Sequence, residues 1–247
     1  MNTSRRSFLK GGIIASMATG FAAMPAMASA AEETKFPQHT YDLVIAGLGI
    51  GGIVTAIRAA ENGLKPVVLE KMGSAAGNTV YSAGFMLGVN TKMQQEKGLK
   101  TGDTTEKFYE DMMKVSQGRR LVAENADDTL NWLHDYVGVK YGVGAKLVWP
   151  MLQRAHLTIG EEKPGGKQLM SYLLKKAKEL NIPIIYNAKV VELLDNPKNG
   201  AVTGVKVKTA KGFEEYIGKL GVVMATGGYS ANKMMLTMMA GVPAANM

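Results

Sequence analysis

Residues 41–70 hold the arrangement that most limits what this chain can fold into. Tyr41-Asp42-Leu43-Val44-Ile45-Ala46 is a compact apolar run bounded by polar residues, the pattern of a buried parallel strand. Gly47-Leu48-Gly49-Ile50-Gly51-Gly52 follows without a break, a G-x-G-x-x-G. Ile53 to Asn62 has helical spacing and stops at Gly63, and Pro66-Val67-Val68-Leu69 then reads as a second strand with Glu70 at its end. Each part has a physical role. Gly47 permits the tight turn from strand to helix, Gly49 lets the backbone approach a pyrophosphate, and Gly52 lets helix and strand pack closely. The helix N-terminus offers free N–H groups and a positive dipole end. Glu70, 18 residues after Gly52, stands where an acid accepts hydrogen bonds from an adenosine ribose. Strand, glycines, helix, strand and acid in register read as a dinucleotide site.

The rest of the chain bears on which dinucleotide. A nicotinamide-binding domain continues in short βα units, but here about 110 residues separate Glu70 from the next clear strand, Pro183-Ile184-Ile185-Tyr186-Asn187. Three runs at hairpin spacing follow, Lys189–Leu194, Val202–Lys208 and Phe213–Lys219, joined by turn-like Asn196–Gly200 and Ala210–Gly212. A further apolar strand, Gly221 to Ala225, runs into Thr226-Gly227-Gly228. A β-meander before a last parallel strand ending in A-T-G-G resembles the glutathione-reductase-like FAD fold, and argues against a nicotinamide-dependent dehydrogenase.

Gly77-Asn78-Thr79 and Ser82-Ala83-Gly84-Phe85-Met86 resemble the G-G-N-[ST]-x-x-A-x-G-G-M segment of fumarate reductase and succinate dehydrogenase flavoproteins. Ala76, Ser82 and Phe85 depart from that pattern, and the bulk of Phe85 would crowd a flavin. Arg154-Ala155-His156 followed by Gly165-Gly166 resembles the R-x-H…G-G passage of the soluble periplasmic fumarate reductases, and Ala225-Thr226-Gly227-Gly228-Tyr229 resembles their A-T-G-G-[FY] motif. The resemblance covers about residues 41–232. It implies an α/β fold, a glutathione-reductase-like FAD-binding Rossmann domain with a β-meander, incomplete at its C-terminal side. It also implies FAD contacts at Gly47, Gly49, Gly51, Gly52, Glu70, Lys71, Asn78, Thr79, Ser82, Gly84, Ala225, Thr226, Gly227 and Gly228, with an adenine contact at Val190 or Val191. The implied reaction is FAD-dependent reduction of an unsaturated carboxylate such as fumarate. The family's catalytic residues lie beyond the position of about Gly241, so no catalytic residue is named. On that ground either a second polypeptide supplies the C-terminal half or the chain is a truncated product. A non-catalytic FAD-binding subunit, or a remnant of a split flavoprotein, is the alternative.

The first 30 residues read as an address. Ser4-Arg5-Arg6-Ser7-Phe8-Leu9-Lys10 precedes an uncharged stretch from Gly11 to Ala31 that ends in Ala-Met-Ala-Ser-Ala. The pattern resembles a twin-arginine export signal with an A-x-A cleavage site. A membrane anchor is the competing reading, and Pro25 with the small residues argues against it. Residues 1–30 are thus expected to be a signal, 31–40 a polar leader with His39 exposed, and 41–247 the FAD-binding domain of a periplasmic protein. The formal charge of +8 falls to +5 without Arg5, Arg6 and Lys10. The lysines are scattered among acids, which excludes a nucleic-acid face. There is no cysteine, so disulfides, thiolate metal sites and C-x-x-C-H haem attachment are excluded within these residues. Electrons are expected to come from a separate protein such as a cytochrome.

Four further features have plain structural readings. Asp103-Thr104-Thr105-Glu106 reads as a capping box opening a helix through Gln117. His134 reads as a satisfied residue on a helix from Glu124 to Tyr136 that Gly138 stops, with no metal partner. His156 reads as structural rather than chemical. The run Met234-Met235-Leu236-Thr237-Met238-Met239 reads as a buried helix.

Overall fold

The computed structural model describes residues 36–75, 77–115, 119–145, 153–230 and 232–241. The expected export signal, the first half of the expected leader, Ala76 and Gln117 lie outside the described residues. In chain order the elements are β1 (Gln38–Tyr41), β2 (Leu43–Ala46), α1 (Ile50–Glu61), β3 (Pro66–Leu69), α2 (Asn78–Tyr81), β4 (Phe85–Leu87), α3 (Lys92–Glu96), α4 (Thr105–Val115) and α5 (Arg120–Trp132). A π-helical turn (Leu133–Val137) continues α5. Then come β5 (Lys140–Val143), β6 (Ala155–Ile159), α6 (Gly166–Glu179), β7 (Ile184–Ile185), β8 (Lys189–Asp195), β9 (Val202–Thr209), β10 (Gly212–Gly218), β11 (Val222–Met224) and α7 (Lys233–Ala240).

The central layer is a parallel sheet in the order β11-β2-β3-β7. Its strands are apolar at consecutive positions because both faces are covered. Ile45 and Val68 pack with Ile53, Ile57, Leu169 and Leu173 of α1 and α6 on one face. Val44, Val67 and Leu69 pack with Val205, Val207 and Tyr216 of the meander on the other. The alternation along each strand thus sends successive side chains into two cores. Each such fully buried aliphatic side chain stabilises the fold by roughly 1.5–3 kcal/mol.

The expected meander is present as β8, β9 and β10, paired antiparallel. The polar leader is different from its expectation. Gln38 to Tyr41 form a strand that adds parallel to β10, and His39 is half-buried, stacked on Tyr216 at 4.7 Å and bonded to Glu214 at 3.1 Å. A four-residue edge strand of polar residues carries no apolar alternation, so the spacing alone does not mark it.

Three other expectations are corrected. The stretch between Glu70 and Pro183 contains a three-stranded antiparallel sheet, β4-β6-β5, whose strands of three to five residues are too short for a periodic signal. The helix after Asp103 begins at Thr105, and the cap is Thr104, whose hydroxyl accepts from Lys107 N at 3.1 Å. Asp103 is instead buried against Arg154. The methionine helix α7 forms, but Met234, Met238 and Met239 are about 70 % exposed, because no described element packs across that face. The expected face of α6 does hold: Leu169, Leu173 and Ala177 are buried and Leu180 partly so. Gly138 stops the π-helical turn at φ 87°.

Candidate functional site: a dinucleotide cradle

The glycine loop connects β2 to α1 at the carboxyl ends of β2, β3 and β11. Its four glycines divide into two kinds. Gly47 sits at φ +107°, and a Cβ there would stand 2.4 Å from the Ala225 carbonyl oxygen. A Cβ at Gly52 would stand 1.9 Å from the Gly47 carbonyl oxygen. These two are glycine because the chain crosses itself there. Among the described residues, a Cβ at Gly49 would meet only the Thr79 hydroxyl, at 3.8 Å, and one at Gly51 would meet nothing within 4 Å. The packing of the described residues does not require glycine at those two positions, and the space beside them is open to a ligand.

The N-terminus of α1 faces that space. Gly49 is its N-cap, with extended backbone and no side-chain cap, and no acid stands in the first turn. The helix dipole and the leading N–H groups are therefore available to an anion. One N–H is already engaged, since Ile50 N donates to Thr79 Oγ1 at 3.0 Å. Thr79 thereby places the Asn78–Gly84 segment beside the loop.

Glu70 closes the other side. Its carboxylate is nearly buried and accepts from Leu48 N at 2.9 Å and Met72 N at 2.8 Å. A carboxylate has lone pairs beyond these two bonds for sugar hydroxyls. A hollow of about 140 Å³ opens beside it, lined by Gly47, Glu70, Lys71, Lys189, Val190 and Thr226. Residues more than 150 positions apart in sequence meet here. Burial and the Glu70 charge together raise the Tyr186 phenol above its ordinary range, so it stays neutral. A second hollow of about 720 Å³ adjoins Lys71, Thr226, Gly227, Gly228 and Tyr229. Gly227 takes φ +74°, and among the described residues a Cβ at Gly227 or Gly228 would meet nothing within 4 Å.

The glycines of the second segment are accounted for by packing. Gly84 is buried at φ +72°, and a Cβ there would stand 2.3 Å from the Gly165 backbone. Gly166 N donates to Ser82 O at 3.0 Å, and a Cβ at Gly166 would stand 1.7 Å from Thr79 O. The N-terminus of α6 is thus wedged onto residues 79–84. The Ser82 hydroxyl donates to Thr79 O at 2.8 Å, and the Asn78 amide donates to Ser230 Oγ at 3.3 Å. The latter joins the segment to the turn after Gly228. Phe85, paired with Leu157 across the β4–β6 ladder, is 39 % exposed.

Two polar clusters were only partly foreseen. His156 is fully buried, with Nδ1 2.7 Å from Arg154 O and Nε2 2.7 Å from the Thr91 hydroxyl. Burial lowers its pKa. A carbonyl opposite Nδ1 makes that nitrogen the donor, so neutral His156 accepts from Thr91 through Nε2. Arg154 is also buried, bonded to Asp103 and Asp111. The R-x-H passage marks both Arg154 and His156, but nothing in the local pattern around Asp111 marks it as the partner of Arg154. His134 Nδ1 donates to Val139 O at 2.9 Å.

The chain is similar to several known flavoproteins. The chain is similar to a fumarate reductase (cytochrome) of Shewanella frigidimarina, 30 % identical over 206 residues, covering 79 % of this chain and 34 % of the relative. It is similar to the acrylate reductase flavoprotein subunit of Shewanella woodyi, 29 % identical over 244 residues, covering 92 % of this chain and 47 % of the relative. Among solved structures it is similar to the open conformation of a flavocytochrome c3 fumarate reductase, with a TM-score of 0.73 and 30 % identity over 82 % of this chain and 36 % of that one. The chain therefore spans between a third and a half of the length of these proteins. Residues 42–247 match the FAD binding domain family, and the chain belongs to that family, with FAD as its cofactor.

Proposed function

We propose that this chain is the FAD-holding part of an exported flavoenzyme that reduces the carbon–carbon double bond of an unsaturated carboxylate. The observation that carries the reading is the open cradle at Gly49 and Gly51 facing Glu70, in a chain whose relatives are named for reducing fumarate and acrylate. Both named acceptors are alkenes conjugated to a carboxylate.

When bound, the flavin supplies a hydride to such an alkene. The residues described here bind and orient the cofactor. The α1 N-terminus stabilises the pyrophosphate charge, Glu70 accepts from the ribose, and the bare backbone at Gly227 and Gly228 allows close approach. Reduction also needs groups that hold the enoate charge and deliver a proton. Those groups are assigned to the parts of the relatives that this chain does not match, whether carried by the same polypeptide or a second one. These residues hold no cysteine for C-x-x-C-H haem attachment, so electrons reach the flavin from outside them, from a donor such as a cytochrome. The Ser4–Lys10 run supports export after the cofactor is in place.

Protein purified from the cells that make it, with any polypeptide that co-purifies, is to be assayed with reduced viologen as donor. Enoate-dependent oxidation with fumarate or acrylate at about 1 per second or faster is expected. FAD-loaded protein that turns over neither enoate would contradict the proposal.

A further inference from the structure

The buried ion cluster around Arg154 lies outside the cradle, yet a continuous set of hydrogen bonds joins the two. The side chains of Arg154, Asp103 and Asp111 are 1 %, 7 % and 5 % exposed. Arg154 Nε and Nη2 donate to the two oxygens of Asp103 at 2.5 and 2.9 Å, Nη2 also donates to Asp111 at 2.9 Å, and the guanidinium lies 5.0 Å from the Phe108 ring centre. Burying three charges carries a large desolvation cost, and apolar residues of similar volume often stabilise such a site as well. What apolar residues do not supply is direction. A two-point guanidinium–carboxylate contact fixes both position and orientation.

The backbone beyond Arg154 transmits that orientation. Arg154 O accepts from Gly88 N at 3.0 Å and from His156 Nδ1 at 2.7 Å, which pins the far end of β4. Strand β6 then pairs with β4 through Ala155–Leu87, His156–Met86 and Leu157–Phe85. At the near end Thr158 N donates to Gly84 O at 3.2 Å, and Gly165 N donates to Thr158 O at 3.1 Å. Gly166 N completes the path with its bond to Ser82 O. β4 is therefore held at both ends by one strand, and that strand is anchored by one guanidinium.

We infer that Arg154 is a positioning residue for FAD: through β6 it sets where the Ser82–Gly84 turn stands against the cofactor. The inference rests on the FAD reading of the cradle. Its effect belongs to cofactor geometry and not only to stability, because the same turn meets Thr79, which bonds the N-terminus of α1.

The test uses the whole protein at a temperature well below its Tm, with FAD itself as the probe. Arg154→Lys keeps the charge and loses the two-point contact, and Asp111→Asn keeps the Asp103 contact and weakens the second. FAD affinity should fall about tenfold in Arg154→Lys, the loss of one well-placed hydrogen bond, and by less in Asp111→Asn. The absorption bands of FAD at saturation should shift in both. A purely structural role would lower Tm and leave the saturated spectrum and the affinity as in wild type, and that result would overturn the inference. If Arg154→Lys does not fold, Asp111→Asn alone decides between the same two outcomes. Wild-type protein that binds no FAD would instead remove the reading beneath it.

Discussion

The Glu70 carboxylate accepts a hydrogen bond from Leu48 N at 2.9 Å, which ties the end of β3 to the middle of the glycine loop. The acid therefore holds the loop in shape before any ligand arrives. On the proposed reading its removal costs twice, by releasing the loop and by losing the acceptor proposed for the ribose.

Glu70→Ala should accordingly lower FAD affinity about ten- to a hundredfold, since charge-assisted hydrogen bonds are worth roughly 1.5–3 kcal/mol. Glu70→Gln keeps one acceptor oxygen and should fall between. Fluorescence titration of FAD into the apoprotein measures both. Equal affinities in all three proteins would remove Glu70 from the site.

His156 gives a prediction about acid. Burial lowers its pKa below the ordinary imidazole value of 6.5, so on acidification the unfolded chain takes up this proton first. Stability from this group is full above that value and is lost as pH falls from it through the lowered value of the folded state. Between pH 7 and about pH 5 the Tm of wild type should fall more steeply than that of His156→Gln, even if the variant starts lower. Parallel slopes would show that His156 is not held neutral by burial.

Export is testable in cells. Arg5 and Arg6 stand at the paired positions of the Ser4–Lys10 run, where lysine preserves charge but not the guanidinium. Arg5→Lys with Arg6→Lys should leave the precursor in the cytoplasm, and mass spectrometry of the periplasmic wild type should find an N-terminus near Ala31. Undiminished export of the double variant would contradict the twin-arginine reading.

The parallel sheet, the meander and the cradle were legible because each rests on local chemistry. Val44 and Val67 announce a strand covered on both faces, and Gly47 and Gly52 announce a turn where backbone meets backbone. The β4–β6–β5 sheet was not legible, because Phe85–Leu87 is three residues long and its pairing with Leu157 is set by tertiary contact. Asp103 misled for a related reason. A carboxylate just before a helix satisfies the local capping pattern, yet the buried guanidinium 51 positions away holds it. The exposed methionines of α7 show the limit of composition, which states that a side chain is apolar but not what covers it.

The two kinds of glycine allow the cofactor assignment to be separated from folding. Gly52→Val would force a Cβ to within 1.9 Å of the Gly47 carbonyl and should prevent folding. Gly49→Val places its Cβ in open space, 3.8 Å from the Thr79 hydroxyl, where the pyrophosphate would stand. The decisive measurement is FAD binding by Gly49→Val, made beside its circular dichroism and Tm. A folded protein with near wild-type Tm that no longer retains FAD is the predicted result, and a folded Gly49→Val protein that binds FAD as tightly as wild type would contradict the cradle.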